Sequence, residues 1–252
     1  MSNETKQAVI RAFNAGLDND QAHALRQRVA REIPQRLAEN GQRLSIHHHL
    51  EWSAAGIGFA TATEMTSELG EGAARLFDAE LWYPGAALVR QLIECIYLLT
   101  LMAERREEAQ EWMTSTRAAI MSRFQPKQMR KRSDANFRSS EYQVHCDNGG
   151  HPNPAGRGLL RRHDEWRQVS TRGHWLDLAQ HLDDAWRRFV SALPLYDPRM
   201  DETHFIYGPE RSPDGGDEIA ELLTKWYDLD PIARPVPVTT DGAPAPWAAW
   251  ST

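Results

Sequence analysis

Apolar residues recur every three or four positions along most of the chain, and no stretch shows the two-residue alternation of a convincing strand. The pattern predicts an all-α protein, mainly an antiparallel helical bundle. From Gln21 to Glu39, the residues Ala24, Leu25, Val29, Ile33 and Leu37 fall on one helical face. Pro34 predicts a kink or break there, and Gly41 a stop. Helical spacing resumes near Ser45 and continues to Leu69, where Gly70 and Gly72 punctuate it. Its small residues, including Gly56, Gly58, Ala60 and Ala62, permit close helix approach. A short helix, Ala73 to Trp82, follows.

Pro84 is suited to the first turn of the next helix, which runs to Glu104. Leu88, Val89, Leu92, Ile93, Ile96, Tyr97, Leu99 and Leu101 cover most of its circumference, which places it at the centre of the bundle. A polar helix, Arg106 to Ser122, and a short basic one, Pro126 to Arg132, come next. Residues 133–158 are less regular and contain the turn-rich GGHPNPAG. Two further helices are expected, His174 to Ala192 and Asp217 to Tyr227, separated by a loop rich in proline, glycine and aspartate. The pattern divides the chain into an N-terminal helical arm (1–41), a bundle with C-terminal helices (42–228) and a proline-rich tail (229–252), in which Trp247 and Trp250 can dock onto a surface or a second subunit.

Composition narrows the class more than it adds to the architecture. The net charge of −6 argues against a general nucleic-acid coat, although local basic clusters can still hold RNA. Two cysteines, Cys95 and Cys146, make no CxxC pair and fit a reduced, cytoplasmic setting. The N-terminal residues have no apolar core of a secretory signal, and the apolar run from Leu92 to Met102 is short for a membrane span. No P-loop, dinucleotide-binding glycine fingerprint, HExxH or GxSxG pattern is present.

Four groups of residues carry candidate chemistry. Arg90 and Glu94 lie four apart on the most apolar helix and share a face. Such a pair is either an internal ion pair that fixes packing or an anion-holding arginine in a cleft. Arg138 and His145 flank six residues, so on a helix both fall on one side. An arginine can stabilise a phosphorane, and a histidine can move a proton near neutral pH. The run from His145 through Cys146, Asp147, His151 and Asn153 invites a metal reading, but its spacing is that of no zinc finger, and a capping turn explains it better. His174, Asp177 and His181 form a stripe on one helix that reads first as a polar face and second as a metal site. No metal or other cofactor is expected. Lys127, Arg130, Lys131, Arg132, Arg157, Arg161 and Arg162 bracket the histidine segment with positive charge.

The order of these pieces resembles the HEPN-like group of helical domains. The elements that carry the resemblance are LVRQLIEC on the apolar helix, FQPKQMRKR, the Tyr142-x-x-His145 segment and the His151-Pro152 loop, from about Trp52 to Leu160. The resemblance implies a homodimeric bundle that cuts RNA without metal, as a toxin or anti-phage effector acting with a protein partner or antitoxin, with no membrane or DNA involved. Under it Arg138 binds the scissile phosphate and His145 is general base or acid. Arg90, Glu94, His151, Tyr142 and Asn153 form or support the pocket. A second mapping makes His151 the functional histidine, with Arg90 and Glu94 as its partners. The family often has a polar amide after the arginine; this chain has Ser139. The competing expectation is a non-catalytic module that binds a protein or small anionic ligand through the same cleft.

Overall fold

The structure is a computed structural model that describes residues 3–135, 137, 139–152, 154–160, 171–196 and 218–233. Arg138 and Asn153 therefore lie outside the described residues, as do Trp247 and Trp250. All regular structure among the described residues is helical. The elements are α1 (Asn3–Leu17), α2 (Asp20–Leu50), α3 (Ala54–Asp78), α4 (Trp82–Glu104), α5 (Arg106–Thr114), α6 (Arg117–Arg123), α7 (Pro126–Arg132), α8 (Ser139–His145), α9 (Thr171–Tyr196) and α10 (Glu218–Leu229). A π-helical turn, Cys146–Gly150, continues α8, and a 3-10 turn spans Pro154–Leu159.

Four long helices make the bundle. α2 packs on α3, α3 on α4, α4 on α9, and α9 closes the ring against α2. The links α2–α3 and α3–α4 are three residues each, which forces antiparallel neighbours. Each link has one residue with a left-handed backbone, Trp52 (φ 54°) and Glu80 (φ 58°). Asn19 and Ser53 cap α2 and α3 by accepting from the backbone N–H groups of Ala22 and Gly56. The core runs through all four helices. Phe59 of α3 stacks on Tyr196 of α9 at 4.2 Å, and the Tyr196 hydroxyl donates to the Met102 carbonyl of α4 at 2.9 Å. The centre expected for α4 is where it lies: Leu92, Leu99, Leu101 and Met102 are fully buried. By length and composition α4 also meets the requirement for a membrane span, yet 67% of that apolar window is buried inside the bundle.

Four boundaries differ from the sequence pattern, the first being that the helix expected from Ser45 to Leu69 is interrupted at Glu51–Ser53, where α2 ends and α3 begins. α2 runs unbroken through Pro34 and Gly41. Proline costs a helical hydrogen bond, but here its ring lies over Gly70 of α3 and its carbonyl accepts from Ser67 at 2.6 Å, so packing on both sides holds the helix together. Gly41 does not end the helix either. A Cβ there would sit 2.7 Å from Glu64 Cγ and 3.4 Å from the Ala60 carbonyl, so the glycine lets α2 and α3 approach closely. Gly70 and Gly72 likewise lie inside α3. The polar helix after α4 is two helices, because Thr116 caps a new one by accepting from Ala119.

α10 lies along α2 and is fastened there by a buried ion pair just past its last residue. Arg26 of α2 meets Asp230 through Nε–Oδ2 at 2.7 Å and Nη2–Oδ1 at 2.9 Å, with both side chains wholly buried. The same guanidinium donates to the carbonyls of Gly16 and Leu17 at the end of α1, and Trp226 donates to Asp230.

Candidate functional site

The segment from Phe137 to His151 lies along α4 and runs antiparallel to it. The tilted rings of Tyr97 and Phe137 pack at 4.4 Å, Glu94 and Arg90 face Tyr142, and the backbone at Ala86 and Ala87 closes on Gly149. Tyr83 then reaches the His151 carbonyl at 3.4 Å. Tyr83, Ala86, Arg90, Glu94 and Tyr97 follow one another at helical spacing, so a single face of α4 is the floor on which the segment lies. The apolar remainder of α4 holds that face in place through the bundle core.

The polar centre of this floor is Arg90, Glu94 and Tyr142. Glu94 Oε1 accepts from Arg90 Nη2 at 2.6 Å and from the Tyr142 hydroxyl at 2.7 Å, and Arg90 Nη2 also donates to the Tyr142 oxygen at 3.1 Å. Burial, reinforced by the Glu94 carboxylate, pushes the Tyr142 phenol well above its ordinary range, so it stays a neutral donor. The Cys146 thiol also lies within hydrogen-bonding reach of the Arg90 guanidinium. Removing the hydroxyl with Tyr142→Phe is expected to cost about 1–2 kcal/mol, since a hydrogen bond to a charged acceptor contributes roughly 1.5–3 kcal/mol and this one is only half-buried. Urea unfolding of the variant measures it; wild-type stability would show that the hydroxyl is replaceable by water.

A second arginine joins from α7. Arg130 lies over the Tyr142 ring at 4.9 Å and over the Tyr97 ring at 5.6 Å, while Arg90 lies 5.7 Å from the centre of the Tyr142 ring. α7 is held in position to do this. Met129 is buried, Arg132 pairs with Glu108, Ser133 donates to Glu104 at 2.6 Å, and Arg105 donates to the Arg132 carbonyl at 2.7 Å. Two guanidiniums therefore flank one tyrosine, and one of them, Arg90, is paired with Glu94. Arg90 Nε and Arg130 Nη1 are both buried and have no hydrogen-bond partner among the described residues.

The two candidate histidines occupy different surroundings. His151 is exposed, just past the π-helical turn that its own N–H closes onto the Cys146 carbonyl at 3.1 Å. His145 is 8% exposed and points to α9. Its Nε2 lies 3.2 Å from His181 Nε2 and 3.5 Å from Asp177 Oδ1, and His181 Nε2 lies 3.4 Å from the same oxygen. Burial opposes ionisation of Asp177, but the charge of His145, the hydrogen bond and charge of His181, and the charge of His174 outweigh it and hold its pKa at about 2. These three residues can hold a divalent metal. So, with less regular spacing, can His47, His48 and Glu51 at the end of α2.

The structure thus gathers Arg90, Glu94 and Tyr142 in one cluster, places His151 further along the same floor, and turns His145 toward α9. His174 departs from the stripe it shares in sequence with Asp177 and His181, because its ring packs on Trp82 and Phe77, both at 5.6 Å. In the sequence Arg130 stands only among the positive charges that bracket the histidine segment. Its one available signal was the Met129-Arg130 step on a short helix beginning at Pro126, in which one residue is buried and the next reaches over α4. No protein-family model matches the chain, and neither does any curated protein or solved structure.

Proposed function

We propose that the protein is a HEPN-like module acting on RNA, which holds a backbone phosphate at the Arg90–Tyr142–Arg130 cluster and cleaves the strand without metal. The observation that carries this reading is the pair of guanidiniums around Tyr142, with Arg90 paired to Glu94 and Arg130 without a carboxylate partner among the described residues. Arginine suits a phosphate oxygen because its donors form a rigid fork.

His151 is the exposed histidine on this floor and takes the proton-transfer role. As general base it removes the proton of the 2′-hydroxyl. The 2′ oxygen attacks phosphorus, the bond from phosphorus to the 5′ oxygen breaks, and the departing oxygen takes a proton from water. The products are a 2′,3′-cyclic phosphate and a 5′-hydroxyl. Arg90 and Arg130 stabilise the charge that builds on the phosphoryl oxygens during attack.

The test is incubation of the full chain with tRNA and total RNA in EDTA, beside the variants Arg130→Ala and His151→Ala. Wild type is expected to leave cyclic phosphate ends. His151→Ala is expected to lose cleavage by 10²-fold or more, within the usual share of general acid–base catalysis, while still binding RNA. Binding without cleavage by wild type would leave the non-catalytic module. Absence of both would overturn the RNA reading.

A further inference from the structure

We propose that His145, Asp177 and His181 form a binding site for one zinc ion that ties α8 to α9. Asp177 and His181 are four apart on α9 and present their side chains to the same side. His145 is the last residue of α8, delivered to them by the segment that lies along α4. The three donor atoms form a nearly equilateral triangle with edges of 3.2, 3.4 and 3.5 Å. Zinc bound tetrahedrally at about 2.0–2.1 Å spaces neighbouring ligand atoms about 3.3–3.4 Å apart. The triangle is therefore one face of a zinc tetrahedron.

Hydrogen bonding among the three explains such a triangle less well. An imidazole nitrogen is a donor or an acceptor at any moment, and a carboxylate oxygen only accepts. Whichever protons are placed, one edge of the triangle sets two lone pairs or two N–H groups against each other. A cation at the centre is attracted to all three corners. Two imidazoles and a carboxylate are also a donor set that zinc uses, with a fourth position kept for water. That position has a way in, because the Asp177 side chain is 37% exposed while those of His145 and His181 are near 10%. The site goes beyond the RNA reading and does not rest on it. Its metal would tie the C-terminal end of α8 to α9.

The experiment is zinc binding by the full chain. The protein is stripped with chelator, re-equilibrated with zinc, dialysed, and its metal content measured, beside Asp177→Asn, His145→Gln, His181→Gln and the controls His151→Gln and His47→Gln. One equivalent is expected in wild type and both controls, and its loss in the other three, with circular dichroism reporting that each is folded. Cobalt substitution of wild type and of His47→Gln decides the matter even where a His145, Asp177 or His181 variant fails to fold, since tetrahedral cobalt gives intense visible bands that an octahedral surface ion does not, and bands that persist in His47→Gln cannot come from the cluster at the end of α2. Absence of a retained equivalent in folded wild type would overturn the proposal. So would an equivalent that survives His145→Gln and disappears in His47→Gln, which would assign the metal to the cluster at the end of α2. RNA cleavage that required zinc would contradict the metal-free mechanism while leaving this site intact.

Discussion

Asp230→Ala is expected to destabilise the protein by about 3–5 kcal/mol, because it strands a wholly buried guanidinium. Arg26 has two of its contacts in Asp230 and the rest in the carbonyls of Gly16 and Leu17, which carry no formal charge. The substitution also removes the acceptor for the Trp226 indole and for the Ile232 N–H, so α10 and the end of α1 lose their common anchor. In a chain of this length such a loss lowers the melting temperature by roughly 10 °C, at 2–4 °C for each kcal/mol. Thermal and urea unfolding measure it. The double variant Arg26→Met with Asp230→Leu is expected to recover most of the loss, since replacing both members of a buried pair by apolar residues is often neutral. A cost below about 1 kcal/mol for the single change would mean that water reaches Arg26.

Gly149→Ala is expected to act on function more than on the fold. A Cβ at Gly149 would stand 2.8 Å from Ala86 Cβ, 2.9 Å from the Ala86 carbonyl carbon and 2.9 Å from the Ala87 nitrogen. Two of these atoms are backbone of the central helix and cannot give way. The turn must lift instead, and it carries Cys146 at one end and leads into His151 at the other. Overpacking of this kind costs roughly 1–3 kcal/mol. The bundle core beneath α4 is untouched, so the expected pattern is a modest fall in stability with a large fall in RNA cleavage. Ala86→Gly in the same chain removes only the side-chain clash and is expected to restore little. Unchanged cleavage in Gly149→Ala would show that the seating of the turn on α4 does not matter to the activity.

How much of this was legible in the sequence depends on the distance over which each feature acts. The central helix, Leu88 to Met102, could be read because its apolar residues are local and periodic. Arg90 with Glu94 could be read because four residues make one turn. Pro34 and Gly41 misled for the opposite reason. Both are local breakers, and what keeps α2 whole is tertiary, the accommodation of Pro34 by Gly70 and of Gly41 by Glu64. Of the two readings open for Arg90 and Glu94, the structure contains the ion pair, and adds Tyr142 and the neighbouring Arg130 to it. His145 was legible as a candidate, but its neighbours were not. Asp177 and His181 are more than thirty residues on, and only the folding of the 137–151 segment across α4 brings them together. Arg26 and Asp230, 204 positions apart, leave no trace in any local pattern.

The central claim is that Arg90 and Arg130 hold an RNA phosphate between them, and equilibrium binding of a fluorescent single-stranded RNA across a salt series tests it most directly. Each phosphate contact to a single strand contributes about 0.7 to the slope of log affinity against log salt. Arg130→Ala is expected to weaken binding about tenfold, in line with the loss of one charge-assisted hydrogen bond, and to lower that slope by about 0.7, while Arg130→Lys keeps the slope and recovers only part of the affinity. Wild-type affinity and slope in folded Arg130→Ala would contradict the claim and place the RNA, or any other anion, elsewhere on the protein.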